Sequence, residues 1–404
     1  MMKIAYFSDT YHPQPNGVAT VLGYIIKNLR ERGLKIYLFA PRIKGYKDTE
    51  EDIYRLPSTR VLPTLPDSIR LPLPIPHKSY LNIIRLKSDL VHAHGNGIFS
   101  FLGLLVARSK KVPYILTFHT QMSHFSHYFL KGRVLKGKHL NDILLKRFGN
   151  LCDGITTPSE KMKQELIQAG VKKHIEVIPN FVNFERFKVK NNNFLHKKYN
   201  IPKSSPILLS VGRLGKEKNF EFLLQMFKKI TEQNHNAYLV IVGEGLGEKE
   251  LRKLIQELGL KKRVRLTGRI PYENMPYVYK SADLFVFPSV SETHAMVVIE
   301  AAASALPLVV ARDQAYKGIV VNNVNGYSLP LDKEQFARKI IKLLNEPSLR
   351  RKFAEASIKI VQNNFNPDKI IRKLIRYYGQ VRRDFKVRPK LLDLSRFKTQ
   401  FGSI

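Results

Sequence analysis

Residues 3–8 form a short apolar run, a loop carrying Pro13, Pro15 and Gly17 follows, and residues 18–32 then repeat apolar positions at helical spacing. The pattern predicts a buried strand, a loop and an amphipathic helix. Residues 34–40, 90–94 and 114–118 are further apolar runs of strand length, and residues 99–109 carry a helical pattern between two of them. Short buried strands alternating with helices predict a parallel sheet covered by helices. The first half of the chain therefore reads as Rossmann-like.

The alternation breaks after Pro179. Residues 180–200 are polar, with Asn191, Asn192 and Asn193 in succession, and a second series opens at residue 207. Strands are predicted at 207–211, 237–242, 264–267, 284–288 and 308–311, and helices at 221–232, 248–257, 275–281 and 297–304. A second doubly wound domain follows from that series. The tail, 367–398, carries 11 Lys and Arg against three Asp, in a helical pattern lasting to residue 385. The expected division is residues 1–182, residues 183–375 and a basic tail at 376–404, all of class α/β.

A chain of 404 residues, 44% hydrophobic and 25% charged, is long enough for two such domains and too apolar to be disordered. Charge adds a constraint. The 68 Lys and Arg against 33 Asp and Glu leave a formal +35, a self-repulsion to be offset by salt or by an anionic partner, which could be nucleic acid, an anionic membrane or a phosphorylated substrate. Cys152 is the single cysteine, which excludes an intrachain disulfide framework and Cys-rich metal sites and points to a reducing compartment. The first residues lack a signal-peptide core, and apolar stretches such as 98–107 run to about ten residues where a membrane span requires roughly 20. The chain is expected inside the cell, lying on a membrane if it meets one.

Three places carry candidate chemistry. At Asn16-Gly17-Val18 the first strand gives way to the first helix, where backbone amides can approach an anion and Gly17 has no side chain to obstruct them. A glycine kept only for positive φ is the competing reading. No G-x-G-x-x-G stands there, which argues against a dehydrogenase. In the second half Arg213 ends a strand and Lys218 precedes a helix, so both cations can converge on a diphosphate at the carboxyl edge of the sheet. Residues 288–301 end a strand, loop and start a helix. Glu292 lies in the loop and Glu300 about two turns into the helix, so they reach different parts of one ligand. The amides of His294, Ala295 and Met296 fall at the helix N-terminus, which suits a phosphate. Each of these charged groups taken alone would equally suit a solvated surface.

Together the Gly212-Arg213-Leu214 to Glu217-Lys218-Asn219 loop, the Glu292 to Glu300 segment after Pro288-Ser289, and the shorter Thr157-Pro158-Ser159, Ile178-Pro179-Asn180 and Leu266-Thr267-Gly268 resemble a retaining family-four glycosyltransferase over nearly all of the chain. The resemblance implies the GT-B fold, two Rossmann-like doubly wound domains facing across a cleft, with the tail helix packing back on the first domain. It implies that Arg213 and Lys218 hold the donor diphosphate, that Glu292 touches the donor sugar, that Glu300 binds the ribose and that the backbone near Arg269 meets the base. Gly17 then lines the cleft near the phosphates, and His119 is the polar catalytic neighbour of the sugar. The chain departs from the commoner pattern at Thr293, His294 and Ala295, where many members have Phe or Gln followed by Gly, and at Asn183, where Asp is frequent. His294 changes what faces the sugar and Ala295 tightens the phosphate approach.

Such a substitution passes through an oxocarbenium-like state in which stabilising the departing diphosphate matters most. Arg213, Lys218 and helix-terminal amides can supply that charge, so no metal and no cofactor are expected. None of His12, His92, His94, His119, His124 and His127 forms a metal-ligand motif.

Residues 127–150 interleave Lys131, Arg133, Lys136, Lys138, Lys146 and Arg147 with apolar residues, a composition fitted to an anionic bilayer. A core helix with a solvated basic face is the competing reading, since Gly132 and Gly137 interrupt the pattern. Residues 119–128 resemble diacylglycerol glucosyltransferases. The expected activity is transfer of a hexose, glucose from UDP-glucose, to a diacylglycerol-type lipid, by a protein peripheral on the cytoplasmic face of the cell membrane. GDP-mannose as donor, and phosphatidylinositol, a polysaccharide or a soluble alcohol as acceptor, are the alternatives within the fold. Nucleic-acid binding is not expected, because no RNA or DNA module accompanies the charge.

Overall fold

The structure is a computed structural model that describes every residue except 15, 61–69, 74, 76, 120–137, 191, 234–235 and 388–404. The chain divides into two compact units, Met1–Pro179 together with the segment from Asp368, and Asn180–Pro367.

In the first unit the strands follow in the order β1 (Lys3–Ser8), β2 (Lys35–Pro41), β3 (Ile53–Leu56), a small ribbon of β4 (Ser58–Arg60) and β5 (Arg70–Pro72), then β6 (Leu90–His94), β7 (Tyr114–Thr117), β8 (Gly154–Thr157) and β9 (Ile175–Val177). The main sheet is parallel, ordered β3-β2-β1-β6-β7-β8-β9. Ile4 of β1 stands opposite Ile36 on one side and Leu90 on the other, so the strand lies in the middle and is apolar nearly throughout. The strand order reverses between β1 and β6, which opens a crevice outside their carboxyl ends.

The second unit repeats the plan. Its strands β10 (Ile207–Val211), β11 (Tyr238–Val242), β12 (Val264–Leu266), β13 (Leu284–Phe287), β14 (Leu308–Ala311) and β15 (Gly326–Leu329) form a parallel sheet ordered β12-β11-β10-β13-β14-β15. The helices Phe220–Glu232 and Lys333–Asn345 bury Leu223, Phe227, Ile230, Phe336 and Ile340 in one core with Leu208, Leu239 and Ile241 of the sheet. Here the order reverses between β10 and β13.

The domain limits differ from the expected ones. The division falls at Pro179/Asn180, and the return to the first unit begins at Asp368, not at residue 376. The reason is a single uninterrupted helix, Pro367–Asp384, whose Ile370, Ile371, Leu374, Tyr377, Tyr378 and Val381 form one buried stripe. A break at 375 would cut that stripe in half. Pro367, with no amide hydrogen to lose, opens the helix. Against the sheet, the Tyr377 hydroxyl accepts from the Ile155 amide at 2.9 Å and donates to the Ile155 carbonyl at 3.1 Å.

Gly154, beneath that tyrosine, is where the approach is tightest. A Cβ on Gly154 would sit 2.7 Å from the Tyr377 hydroxyl and 2.8 Å from Val381 Cγ2. Gly154→Ala is therefore predicted to lower the stability of the protein by about 1–3 kcal/mol through overpacking. Urea unfolding measures this, and an unchanged midpoint would show that the helix does not press on β8.

Candidate functional site

β10 and β13 are paired neighbours, so the segments that leave their carboxyl ends lie side by side. From β10 the chain runs through Gly212 and Arg213 to a tight turn, Lys216–Lys218, and then to Asn219, which takes the left-handed conformation with φ of 55° before the helix Phe220–Glu232. Asn tolerates that conformation better than most residues. Its side chain also donates to the Pro288 carbonyl at 3.0 Å, which ties the turn to the end of β13. The Glu217 carbonyl strengthens the tie by accepting from the Ser291 hydroxyl at 3.1 Å.

Charges meet across this junction. Lys218 Nζ pairs with Oε1 of Glu292, and the Ser289 hydroxyl donates to the same oxygen at 2.6 Å. The lysine and glutamate side chains are 17% and 12% exposed, so the pair is largely withdrawn from water. Arg213 donates to Glu217 Oε1 at 2.7 Å from a more open position. Burial works to raise the Glu217 carboxyl, but the Arg213 guanidinium and its own backbone amide hold it below the ordinary value. The structure thus brings Lys218 and Glu292 together, places Arg213 on the same loop against Glu217, and sets Ser289, which the sequence reading named only as part of a motif, against Glu292. Each cation stands against a carboxylate.

Glu300 belongs to a separate network. It lies on the helix Met296–Ala303 and is buried, accepting from the Tyr272 hydroxyl at 3.1 Å and the Tyr279 hydroxyl at 2.7 Å. Burial raises its carboxyl to about 7, against the pull of the two tyrosine hydroxyls and the Arg186 charge. Arg186 stacks 4.3 Å over the Tyr272 ring and donates to the Tyr272 carbonyl at 2.8 Å. The His294 ring turns against Phe365, 5.4 Å between centroids, and burial lowers its pKa to about 3. Ala295 caps the helix through its carbonyl, which accepts from Val298 at 3.0 Å, so the Met296 and Val297 amides at the first turn have no helical acceptor. Arg269 is exposed beyond the carboxyl end of β12.

In the first unit Gly17 opens the helix Gly17–Glu31, with Asn16 as its N-cap accepting from the Ala19 amide at 2.9 Å. Gly17 is not among the glycines with positive φ, so conformational freedom does not account for it. His119 follows β7, is buried, and shares a hydrogen bond of 3.0 Å between its Nε2 and His94 Nδ1. Burial lowers its pKa to about 4, so the imidazole is neutral at physiological pH. Asp9, at the end of β1, was not anticipated. Its carboxylate accepts from the Gly97 and Phe99 amides at 2.8 and 3.0 Å and so caps the helix Ile98–Lys110. A Cβ on Gly95 or Gly97 would come within 2.6 or 2.5 Å of that carboxylate, so the Gly-x-Gly after β6 was the signal that marks the spot. Burial raises the Asp9 carboxyl to about 6. Lys131, Arg133 and Lys136 lie outside the described residues, and so does the side chain of Lys138, the first residue of the helix Lys138–Leu151.

Residues 15–186 match the family described as Glycosyltransferase Family 4, and residues 191–360 match Glycosyl transferases group 1. The chain belongs to this family of glycosyltransferases. The alpha-monoglucosyldiacylglycerol synthase of Streptococcus pneumoniae is 28% identical to it over 397 residues, 91% of this chain and 88% of that protein. The synthase of the same name from Acholeplasma laidlawii is 26% identical over 86% of this chain and 89% of its own. Anabaena HepE, solved with UDP and glucose, aligns with a TM-score of 0.75 at 18% identity, over 94% of this chain and 100% of its own, a likeness of fold. This glycosyltransferase therefore has the GT-B architecture, two Rossmann-like sheets with their helices.

The raised Glu300 carboxyl has a consequence for stability. Between about 4.5 and 7 the unfolded chain has lost the Glu300 proton while the folded chain keeps it, so folding weakens as pH rises through that window. Buried histidines such as His294 act in the opposite sense, gaining stability as pH rises toward their unfolded value, so the readout is a difference between two proteins. Glu300→Gln is predicted to flatten the fall in unfolding free energy between pH 5 and pH 8 by up to about 3 kcal/mol relative to the parent chain. Identical pH slopes in chemical denaturation would show that Glu300 ionises freely.

Proposed function

We propose that this glycosyltransferase moves a hexose, glucose from UDP-glucose, to a diacylglycerol-type lipid with retention at the anomeric carbon, at the cytoplasmic face of a membrane. The observation that carries the reading is the pair of cations at the junction of β10 and β13, each held by a carboxylate. A nucleotide-sugar diphosphate brings two phosphates to these cations. It takes Lys218 from Glu292, and the freed carboxylate then accepts from hydroxyls of the sugar. As the glycosidic bond to the diphosphate breaks, negative charge grows on the leaving phosphate, and Arg213 and Lys218 stabilise it where it forms. The reading includes no metal in this step. Glu300 meets the ribose hydroxyls in exchange for a tyrosine hydroxyl, the backbone near Arg269 meets the base, and the amides of the 294–296 turn meet the phosphates. His119, neutral by burial, is the polar group beside the donor sugar.

The acceptor reading is supported by the likeness to the two diacylglycerol-glucosylating relatives and by the surface of the first unit. On the helix Lys78–Arg85 the exposed residues Lys78, Leu81, Ile84 and Arg85 share one face, with Ile84 74% exposed. An apolar strip flanked by cations suits an anionic bilayer, as does the basic run from Lys131. Among the described residues no helix is long and apolar enough to cross a membrane.

Arg213→Ala and Lys218→Ala each lower kcat of the folded protein by about 10²–10³-fold, close to 3–4 kcal/mol in the barrier; Arg213→Ala keeps an unfolding midpoint near that of the parent chain, while Lys218→Ala, which takes the cation out of a mostly buried pair, lowers it. Near-normal turnover in either would remove that cation from the reaction. Replacing Lys131, Arg133, Lys136 and Lys138 by Ser weakens sedimentation with anionic vesicles while slow hydrolysis of the donor continues. Undiminished vesicle binding would place the membrane contact elsewhere. Turnover also persists in excess EDTA, whereas its loss on chelation would require a metal that the reading does not include.

A further inference from the structure

His119 stands at the end of a chain of buried rings that starts on the returning helix Pro367–Asp384. The Tyr378 hydroxyl of that helix meets two groups of the sheet at once, the Tyr6 hydroxyl at 2.5 Å and His92 Nδ1 at 2.7 Å. Tyr6 and His92 face each other across β1 and β6 in register. His92 is fixed at its other end as well, with Nε2 2.7 Å from the Thr117 hydroxyl, which in turn meets the Thr156 hydroxyl. The rings of Tyr6 and His92 both lie against His94, at centroid distances of 4.9 and 4.2 Å. The remaining direction of His94 is toward His119, through Nδ1 to Nε2 at 3.0 Å, while its own Nε2 has no hydrogen-bond partner among the described residues.

A neutral imidazole donates from one nitrogen and accepts at the other. His92 therefore carries one proton between Tyr378 and Thr117, and the direction of every hydroxyl in the row is tied to which nitrogen holds it. Burial keeps His92, His94 and His119 all neutral. Among the described residues His94 has no such tether beyond His119. Its orientation depends on the two rings beside it, and both of those are anchored to one oxygen of Tyr378.

We propose that Tyr378 is a positioning residue for His119: by holding Tyr6 and His92 in place around His94, the returning helix fixes the ring orientation and tautomer of the histidine that works beside the donor sugar. The proposal rests on that reading of His119. It gives the helix a task beyond filling the unit's surface, and it explains why a second tyrosine hydroxyl is buried next to that of Tyr377 in this stripe.

Tyr377 supplies the control. It sits on the same turn of the same helix, but its hydroxyl bonds the backbone of Ile155 and His174 and touches none of the rings around His94. Tyr378→Phe and Tyr377→Phe, each made in the full chain with 15N-labelled histidine, separate the two roles. The expected result is a similar small fall in unfolding midpoint for both. Tyr378→Phe shifts the ring nitrogen resonances of His94 and His119 in the ligand-free protein and lowers kcat at least tenfold, with KM for the donor within twofold of the parent. Tyr377→Phe leaves the His119 resonances in place and kcat within twofold. Unmoved His119 resonances in Tyr378→Phe overturn the positioning, and so does an equal loss of kcat in both variants, which would be a general effect of the helix. Shifted resonances with unchanged kcat overturn the reading of His119 on which the proposal rests, and the proposal falls with it.

Discussion

Lys218 and Glu292 form a mostly buried ion pair at the point where the chain leaves two adjacent parallel strands, and the rest of the site is arranged around it. Taking two charges out of water costs several kcal/mol for each, and the attraction between them offsets this only when other hydrogen bonds complete the geometry. Ser289 supplies one such bond to the carboxylate, and the Phe287 ring lies beneath the ammonium at 5.6 Å. The same arithmetic makes the pair exchangeable. On the proposed reading, a diphosphate would offer the lysine more charge than one carboxylate does, and Ser289 would remain beside the glutamate it displaces. Arg213 and Glu217 repeat the arrangement in a more open position.

The carboxyl edge of the first sheet is built differently. Where the β10/β13 junction gathers ion pairs, the first unit buries three histidines and keeps them neutral. His92, His94 and His119 all fall well below the usual histidine value through desolvation, and Asp9 is pushed up toward neutrality while four donors hold it. Parallel sheets with this strand order present amides and side chains at their carboxyl edge, and each unit uses that edge with a different electrostatic character.

Much of this was legible in the residues and some was not, for identifiable reasons. β1, β2, β6, β10, β11, β13 and β14 are predominantly apolar, because both faces of the sheet are covered, and such runs are plain in the sequence. β8 and β15 each begin with glycine, which reads as a turn. In fact Gly154 is small because Tyr377 lies on it, and a Cβ on Gly326 would meet the Leu308 carbonyl at 2.0 Å. β3 and β9 are short edge strands with polar neighbours. Among the candidate site residues, Arg213, Lys218 and Glu292 drew attention by their places at strand ends. Glu217 stood between two of them and was passed over because its role depends on where Arg213 turns. Tyr378 lay beyond any sequence argument, since its partner His92 is 286 residues away.

The most direct test of the account is the reaction itself. The purified full chain, offered UDP-glucose, UDP-galactose and GDP-mannose in parallel with anionic vesicles containing diacylglycerol, is followed for both nucleotide release and glycolipid. The account predicts a glucosylated diacylglycerol from UDP-glucose, formed in step with UDP. Glycolipid from another donor, or nucleotide release with no glycolipid from any of the three, would contradict it.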